Sequence, residues 1–335
     1  AHEDGTQKHY DHNTFGKYVK NLYGEKYGPL GVTFPSEEKA NAMIDQYIET
    51  LKKSDTDTVF TNIKLAPQPQ ATIVIIDQYT GYVKAMVGGR GEKTSNMSLN
   101  RATQSGRQPG STFKVLSTYV PALDMNGDTL STTIKDAPLN YTTGEKKAVK
   151  NWWGGYKGNL TIRYCIEQSA NVCTVRKYQE ITPSVGMQYL TKNFGFTTLH
   201  SSNDAGEATS LGGITTGVYN IELTAAYAAI ANAGTYTEPI LYTQIYDNLG
   251  NLLFENTPAT HTAMKDSTAY LITSAMQDVV SKGTGTAAKL SGYVAAGKTG
   301  TTTDTRDLWF SGYTPYLTAS VWSGYDDNQE IEGSS

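Results

Sequence analysis

The order of sequence patterns along this 335-residue chain predicts an α+β fold. Two short apolar stretches, residues 71–76 and 82–87, flank a turn and predict a hairpin of two strands. Helical patterns dominate from about residue 96 to 233, and three strand-like stretches follow between residues 293 and 325. The simplest arrangement is one sheet assembled from both ends of a domain, with a helical lobe of residues 96–233 inserted between its strands.

Residues 1–70 are predicted to be an N-terminal linker region, followed by a domain that spans residues 71–335. The clearest element of the linker region is a helix at residues 37–53, whose apolar side chains recur at helical spacing. Ser36 stands at the N-cap position of this helix, and we expect Lys39 to be a solvated surface charge. The Pro67-Gln68-Pro69-Gln70 stretch predicts an extended segment before the first strand.

The later elements follow from the same two periodicities, 3.6 for helices and 2 for strands. Helices are predicted at residues 111–125, 160–168, 172–179, 221–233 and 267–281. Two strands, 241–246 and 252–255, are predicted on either side of an Asp-Asn-Leu-Gly turn. The last three strands are predicted at residues 293–301, 308–313 and 318–325, with an antiparallel meander as the simplest connection.

Composition excludes several classes of function. The net charge is −4, with no basic excess, so the sequence gives no sign of nucleic-acid binding. No apolar run approaches the ~20 residues that cross a membrane, and no signal peptide is recognisable at Ala1.

Cys165 and Cys173 would be ~12 Å apart along one continuous helix, which favours two free buried thiols over a disulfide. No His or Cys cluster lies nearby, so no metal site is predicted.

Three short motifs occur in order along the chain: Ser111-Thr112-Phe113-Lys114, Ser169-Ala170-Asn171 and Lys298-Thr299-Gly300. Each is weak alone, because Ser-x-x-Lys also occurs at Ser36 and Ser-x-Asn also occurs at Ser98 and Ser201. Only Lys-Thr-Gly occurs once. The specificity therefore lies in the order of the motifs and in the local structure that each one should occupy.

Ser111 follows Pro109 and Gly110 and is predicted to begin a helix, with Lys114 one turn later on the same face. Burial would favour the neutral form of this lysine, which could then take the hydroxyl proton of Ser111. The competing interpretation is an N-cap serine with a surface lysine. For Lys298 the alternative is a tight turn, but the apolar stretches 293–296 and 309–310 favour a strand beside the core.

Further stretches extend the pattern well beyond the three motifs. They are Val87-Gly88-Gly89, Arg107-Gln108-Pro109-Gly110, Asn151-Trp152, Leu160-Thr161-Ile162-Arg163, Glu167-Gln168, Gly283-Thr284-Gly285 and Asp307-Leu308-Trp309-Phe310-Ser311-Gly312-Tyr313-Thr314-Pro315. From about residue 71 to 327 the chain resembles the transpeptidase domain of the class A penicillin-binding proteins. The resemblance implies a penicillin-binding/serine β-lactamase-like fold: a five-stranded antiparallel sheet covered by helices, beside an all-helical lobe, with the active site between the two.

The resemblance also implies the chemistry, which is acyl transfer from a stem peptide that ends in D-Ala-D-Ala. Ser111 would be the nucleophile and Lys114 its base, while Ser169 would relay a proton toward the leaving amine and Lys298 would tune its field. The backbone N–H groups of Ser111 and Thr301 would form the oxyanion hole. No cofactor is implied.

The remaining implied residues bind substrate. Asn171 would hydrogen-bond the amide of the stem peptide, although an asparagine there could also cap the following helix. The hydroxyls of Thr299 and Thr301 would bind the terminal carboxylate, and Gly300 would let the substrate lie against the strand. Trp152 and Trp153 could stack on sugars, but we expect at least one of them to be packed. The five histidines lie outside the motifs, so a Ser-His-Asp triad has little support.

As partners, the resemblance implies peptidoglycan stem peptides, both as D-Ala-D-Ala donor and as amine acceptor, and β-lactam antibiotics. It places the domain on the extracytoplasmic face of a bacterial membrane, anchored by a segment outside this sequence.

The sequence departs from the family in three respects. No acidic glycosyltransferase motif is found before Ala71, the last residues stop before the final helix of the family, and Cys173 stands where small residues or proline are common.

Three other functions compete with a D,D-transpeptidase. A D,D-carboxypeptidase would use water as the acceptor, and a penicillin-sensing domain would be acylated without turnover. A β-lactamase has less support, because no residue is identifiable as a deacylating base. The long match outside the three motifs favours the transpeptidase over the sensor.

Overall fold

The computed structural model describes residues 7–24, 33–63, 65–93 and 96–331. The described residues fall into two compact units, one made of those up to Gln70 together with those from Gly324 onward, the other of Ala71–Ser323. The helices are α1 His12–Tyr23, α2 Glu37–Leu51, α3 Arg101–Gln104, α4 Val120–Met125, α5 Ile162–Glu167, α6 Asn171–Ile181, α7 Pro183–Gln188, α8 Asn220–Ala231 and α9 Asp266–Ser281.

Within the described residues, the strands form one large sheet and three small ribbons. The strands are β1 Gln70–Ile76, β2 Val83–Val87, β3 Thr133–Asp136, β4 Gly158–Thr161, β5 Thr235–Thr237, β6 Gln244–Tyr246, β7 Leu252–Glu255, β8 Thr260–Thr262, β9 Ala296–Thr301, β10 Asp307–Tyr313 and β11 Thr318–Gly324. The order in the large sheet is β2-β1-β11-β10-β9, so the sheet is assembled from both ends of the domain, as predicted. The α+β fold with a five-stranded antiparallel sheet is thus confirmed.

Two helices cover the end of the sheet that is formed by β9 and β10. α9 packs along β9 and α8 packs along β10, while α5 packs against α9. The apolar run Ala225–Ile230 of α8 is buried throughout, because this helix lies between the sheet and the helical lobe. β9 is the last strand of the sheet, so one of its edges is not paired with another strand among the described residues. A substrate could add to this edge as a further strand.

Several predicted elements differ from the structure. The ribbon of β3 and β4 lies within the segment predicted as an all-helical lobe, and the strand predicted at 241–246 begins at Gln244. The helix predicted at 111–125 is a 3₁₀ turn at Gly110–Thr112, a wide π turn at Val115–Tyr119, and then α4. Pro121 has no N–H and its ring crowds the carbonyl of residue 117, which prevents regular α-helix there. Residues 160–161 belong to β4 rather than to the helix that follows. The strand predicted at 293–301 is β9, which begins only at Ala296. Tyr293 and Val294 precede it and are 61% and 63% exposed, so these two apolar side chains do not belong to the core.

The helix of the linker region is as predicted, with Ser36 at its N-cap and Ala40, Met43 and Ile44 buried. Cys165 and Cys173 are free and buried, which confirms that prediction. Among the described helices, none is both long and apolar enough to span a bilayer.

Candidate active site

The segment before Ser111 is braced against the sheet. The side chain of Arg107 donates to Asp307 of β10 at 2.8 Å, and the indole of Trp309 donates to the carbonyl of Gln108 at 2.8 Å. Gly110 has φ +53°, and a Cβ on it would stand 2.7 Å from the carbonyl oxygen of Thr301. Only glycine therefore fits between this segment and the end of β9. The segment that leads into Ser111 therefore contacts the backbone of Thr301. The N–H groups of Ser111 and Thr301 are the two that are predicted to form the oxyanion hole.

Lys114 lies one turn after Ser111 and is completely buried. Its Nζ donates to the carbonyl of Ser169 at 2.6 Å, to the hydroxyl of Ser169 at 3.1 Å and to Oδ1 of Asn171 at 2.5 Å. These three partners match the three donors of an ammonium group. Loss of one proton would leave two donors and a lone pair, and the lone pair could then accept a hydroxyl hydrogen.

Ser169 occupies the turn between α5 and α6 in a left-handed conformation, φ +53°. Such a conformation costs a non-glycine residue about 1 kcal/mol or more, and it persists where the surroundings hold it. Here two lysine side chains hold the Ser169 hydroxyl, because the amine of Lys298 in β9 donates to it at 2.9 Å and the amine of Lys114 donates to it at 3.1 Å. The serine hydroxyl is therefore shared by two buried amines from different parts of the fold.

Burial decides the protonation of these amines. Burial, and after it the repulsion of Lys298, hold the pKa of Lys114 well below the ordinary lysine value. Burial alone lowers the pKa of Lys298 to about 7. Two ammonium groups beside one hydroxyl repel each other without water to screen them, so the arrangement favours a state in which one amine is neutral. A neutral amine next to a serine hydroxyl is a competent general base.

Asn171 is the first residue of α6, and its side chain faces the site. Its Oδ1 accepts from Lys114, and its Nδ2 donates to the carbonyl of Lys150 at 2.7 Å. The N-cap position belongs to Ala170, which has no side chain that could cap the helix. The alternative in which Asn171 caps its own helix is therefore wrong. Among the described residues, the second N–H of this amide has no acceptor, so it is available to a ligand.

The strand β9 supplies the opposite wall. Lys298 and Gly300 alternate with Thr299 and Thr301 along the strand, and both Lys298 and Gly300 contact residues of the helical lobe. A Cβ at Gly300 would stand 2.5 Å from the carbonyl of Pro109 and 2.8 Å from Cγ2 of Thr112. The missing side chain thus makes room for the segment that carries Ser111, a reason that the sequence alone did not reveal.

The two threonines differ in their surroundings. The Thr299 hydroxyl is paired with that of Thr284 at 2.8 Å, while Thr301 is exposed at the end of the strand. Thr284 also donates its N–H to the carbonyl of Glu167, at 3.3 Å, so it joins α5 to β9. The Gly283-Thr284-Gly285 stretch belongs to the pattern that the chain shares with the family, and the structure places Thr284 against Thr299 of β9.

The two tryptophans are placed differently. Trp153 packs against the core, while Trp152 is 63% exposed and its indole donates to the carbonyl of Gln168 at 2.8 Å. One of the pair is thus packed, as expected. The exposed ring lies directly beside the Ser169 turn.

A family model for the transpeptidase domain of penicillin-binding proteins matches residues 71–332. Penicillin-binding protein 1A of Clostridium tetani is 36% identical over 273 residues, which cover 78% of this chain and 34% of that protein. Penicillin-binding protein 1A/1B of Bacillus subtilis is 33% identical over 277 residues, which cover 78% of this chain and 29% of that protein. The chain thus spans about a third of the length of the curated relatives that it matches.

Solved structures agree with the sequence matches. The crystal structure of penicillin-binding protein 1A from Haemophilus influenzae superposes with a TM-score of 0.70 at 26% identity, covering 80% of this chain and 45% of that one. The PonA1 protein from Mycobacterium tuberculosis, solved in complex with penicillin V, superposes with a TM-score of 0.68 at 25% identity, covering 79% of this chain and 72% of that one. The chain belongs to the penicillin-binding protein transpeptidase family.

Proposed function

We propose that this chain is a serine D,D-transpeptidase domain that cross-links peptidoglycan stem peptides through an acyl-enzyme on Ser111. The observation that carries the proposal is the hydroxyl of Ser169 held between two buried amines, Lys114 at 3.1 Å and Lys298 at 2.9 Å. Such a group can pass a proton between a base and a leaving amine without solvent. The functional domain is taken as residues 71–335 and the linker region as residues 1–70.

In the first half-reaction, Oγ of Ser111 attacks the carbonyl carbon of the penultimate D-Ala, and neutral Lys114 takes the hydroxyl proton. The oxygen of the tetrahedral intermediate accepts hydrogen bonds from the N–H groups of Ser111 and Thr301. The peptide C–N bond then breaks, and a proton relayed through Ser169 neutralises the departing D-Ala amine. In the second half-reaction an acceptor amine attacks the ester, loses a proton along the reverse route and releases Ser111.

A β-lactam would follow only the first half. Its ring amide is attacked in the same way, but the leaving nitrogen stays tethered to the acyl group and blocks the acceptor. Thr299 and Thr301 would bind the carboxylate that both ligands carry, and the free N–H of Asn171 would bind an amide. The relatives' names place such domains among penicillin-binding proteins, and we propose that this one also works on the extracytoplasmic side of a bacterial membrane.

The test is acylation by a labelled penicillin, followed by peptide mapping and by the lifetime of the adduct. We expect label on Ser111, none in Ser111→Ala, and an adduct that persists for hours. Label on Ser36 or Ser169, or undiminished labelling of Ser111→Ala, would overturn the assignment of the nucleophile. An adduct that lasts seconds would indicate a β-lactamase. With a D-Ala-D-Ala peptide, D-Ala release without amine transfer would indicate a carboxypeptidase, and no release a sensor.

A further inference from the structure

The helix α6, which begins at Asn171, is capped by a residue from a distant part of the chain. Its N-cap residue, Ala170, offers no side-chain acceptor. The N–H groups of Asn171 and Val172 instead both donate to Oδ1 of Asn151, at 3.0 and 3.1 Å. The first N–H groups of a helix have no partner within the helix, so an external acceptor here stabilises the helix start and fixes its position.

The amide of Asn151 is itself oriented by a buried carboxylate. Asn151 and Asp136 are both buried, and Nδ2 of Asn151 donates to Oδ1 of Asp136 at 2.8 Å. A second, longer bond joins Nδ2 to the carbonyl of Gly155 at 3.3 Å. The other oxygen of Asp136 accepts the N–H of Lys157 at 2.8 Å. Because an ionised carboxylate only accepts, it draws the Nδ2 end of Asn151 toward itself and leaves Oδ1 facing the helix.

The same segment also holds the side chain of Asn171. The carbonyl of Lys150 accepts Nδ2 of Asn171 at 2.7 Å, which directs Oδ1 of that amide to Lys114. Residues 150 and 151 thus fix both the backbone and the amide of Asn171. Every acceptor that the structure gives to Lys114 Nζ belongs to Ser169 or Asn171. A shift at the start of α6 would therefore move the partners of the proposed base.

We propose that Asn151 and Asp136 are positioning residues for acyl transfer, which hold Asn171 and through it the amine of Lys114. The inference rests on the proposed function, because it concerns the orientation of the proposed base. Neither residue touches the reacting atoms. Their effect on the reaction passes through the hydrogen bonds described above.

The test is an exchange of the two side chains. In Asn151→Asp two carboxylates face each other, and in Asp136→Asn one amide N–H₂ must face another donor. In the double variant Asn151→Asp/Asp136→Asn, the new carboxylate still accepts the two helix N–H groups and also accepts from the new amide. The oxygen of that amide remains available for the N–H of Lys157. The exchange therefore restores each of these donor–acceptor pairs except the 3.3 Å bond to Gly155, whose carbonyl then faces a carboxylate oxygen.

We expect penicillin acylation to slow roughly 10- to 100-fold in each single variant, measured well below its melting temperature, and the exchange to recover most of the rate. In Asp136→Asn the acid limb of the pH–rate profile should also move to lower pH. A displaced Asn171 no longer offers its Oδ1 to Lys114, and loss of that acceptor disfavours the charged form of the lysine. The other titratable groups that face Lys114 are Lys298, Cys165 and Cys173, and none of them is altered. A merely structural role would lower the melting temperature and leave the acid limb in place.

Asp124→Asn is the matched control. Asp124 is a carboxylate with three hydrogen bonds, from Tyr189, Lys265 and Thr268, and it has no bond to the Asn171 network. The Asp124→Asn variant should be less stable than the wild type, but its acylation rate and the position of its acid limb should be unchanged. Wild-type rates in the folded single variants, or an exchange that recovers nothing, would overturn the positioning role. A wild-type protein that forms no adduct on Ser111 would overturn the proposed function instead.

Discussion

The chain contains two Ser-x-x-Lys stretches, and the structure uses them in opposite ways. Ser36 is the N-cap of α2, where its hydroxyl accepts the N–H of Lys39 at 3.2 Å, and Lys39 is exposed. Lys114, in contrast, is completely buried and bonded to Ser169 and Asn171. The four-residue pattern is thus a helix-start pattern that any soluble helix can use. Burial of the lysine is what separates a candidate catalytic pair from a cap.

The difference arises from what surrounds each helix start. Only one face of α2 is covered, so the side chain of Lys39 reaches solvent. The turn at Ser111 is enclosed by β9 on one side and by the Ser169 turn on the other.

Replacement of the buried lysine should have the largest effect. In Lys114→Arg the guanidinium stays protonated at any accessible pH, so it cannot accept the proton of Ser111. Loss of a general base costs roughly 10²–10⁴ in rate, and we expect penicillin acylation to slow by that factor. Lys39→Arg is the matched control from the exposed stretch and should acylate like the wild type. Acylation of Lys114→Arg at a near wild-type rate would mean that the buried lysine is only structural.

Removal of the carboxylate site that we propose on β9 should have the second-largest effect. Thr299→Val/Thr301→Val keeps the shape of the strand and removes two hydroxyl donors. Hydrogen bonds to a charged group contribute about 1.5–3 kcal/mol each, so loss of both should slow acylation by penicillin by at least roughly 100-fold.

A penicillin methyl ester provides the control for the threonines, because it has no charged carboxylate. It should react poorly with the wild type and change little in the double variant. If the free acid and the ester lose reactivity equally, the threonines support the strand and do not recognise the carboxylate.

The sequence predicted the sheet and the motifs but not the bonds between them. The hairpin of β1 and β2 and the β9–β11 meander follow from short apolar runs between turns, and both are present. The cap that Asn151 gives to α6 joins residues 20 and 21 positions apart, and the pairing of Thr284 with Thr299 joins residues 15 positions apart. Tertiary packing decides such contacts, and no local periodicity encodes them. The exposure of Tyr293 and Val294 is a similar case, since an apolar run cannot reveal that it lies in a surface loop.

Burial of a lysine should also appear in the stability of the fold. The pKa of Lys298 is about 7 in the folded protein, against an ordinary value of 10.5. Between these values the unfolded chain binds the proton and the folded protein does not, so stability rises with pH. The rise should be about 2 kcal/mol between about pH 7.5 and about pH 9.5.

The measurement is urea unfolding across that range, with Lys298→Met for comparison. The variant has no titrating amine at this position, so its stability should rise less steeply than that of the wild type. Equal slopes in the two proteins would contradict the burial of a neutral Lys298.

The smallest effect is expected at the first stretch, where the serine is a cap. Ser36→Ala removes the acceptor for the N–H of Lys39, a loss of about 1 kcal/mol for an N-cap. Amide hydrogens in the first turns of α2 should then exchange about fivefold faster, while Ser36→Asn, which keeps a capping oxygen, should exchange like the wild type. Penicillin acylation should be unchanged in both variants. A slower acylation in Ser36→Ala would mean that the two Ser-x-x-Lys stretches are not functionally separate, and that burial of the lysine is not what distinguishes them.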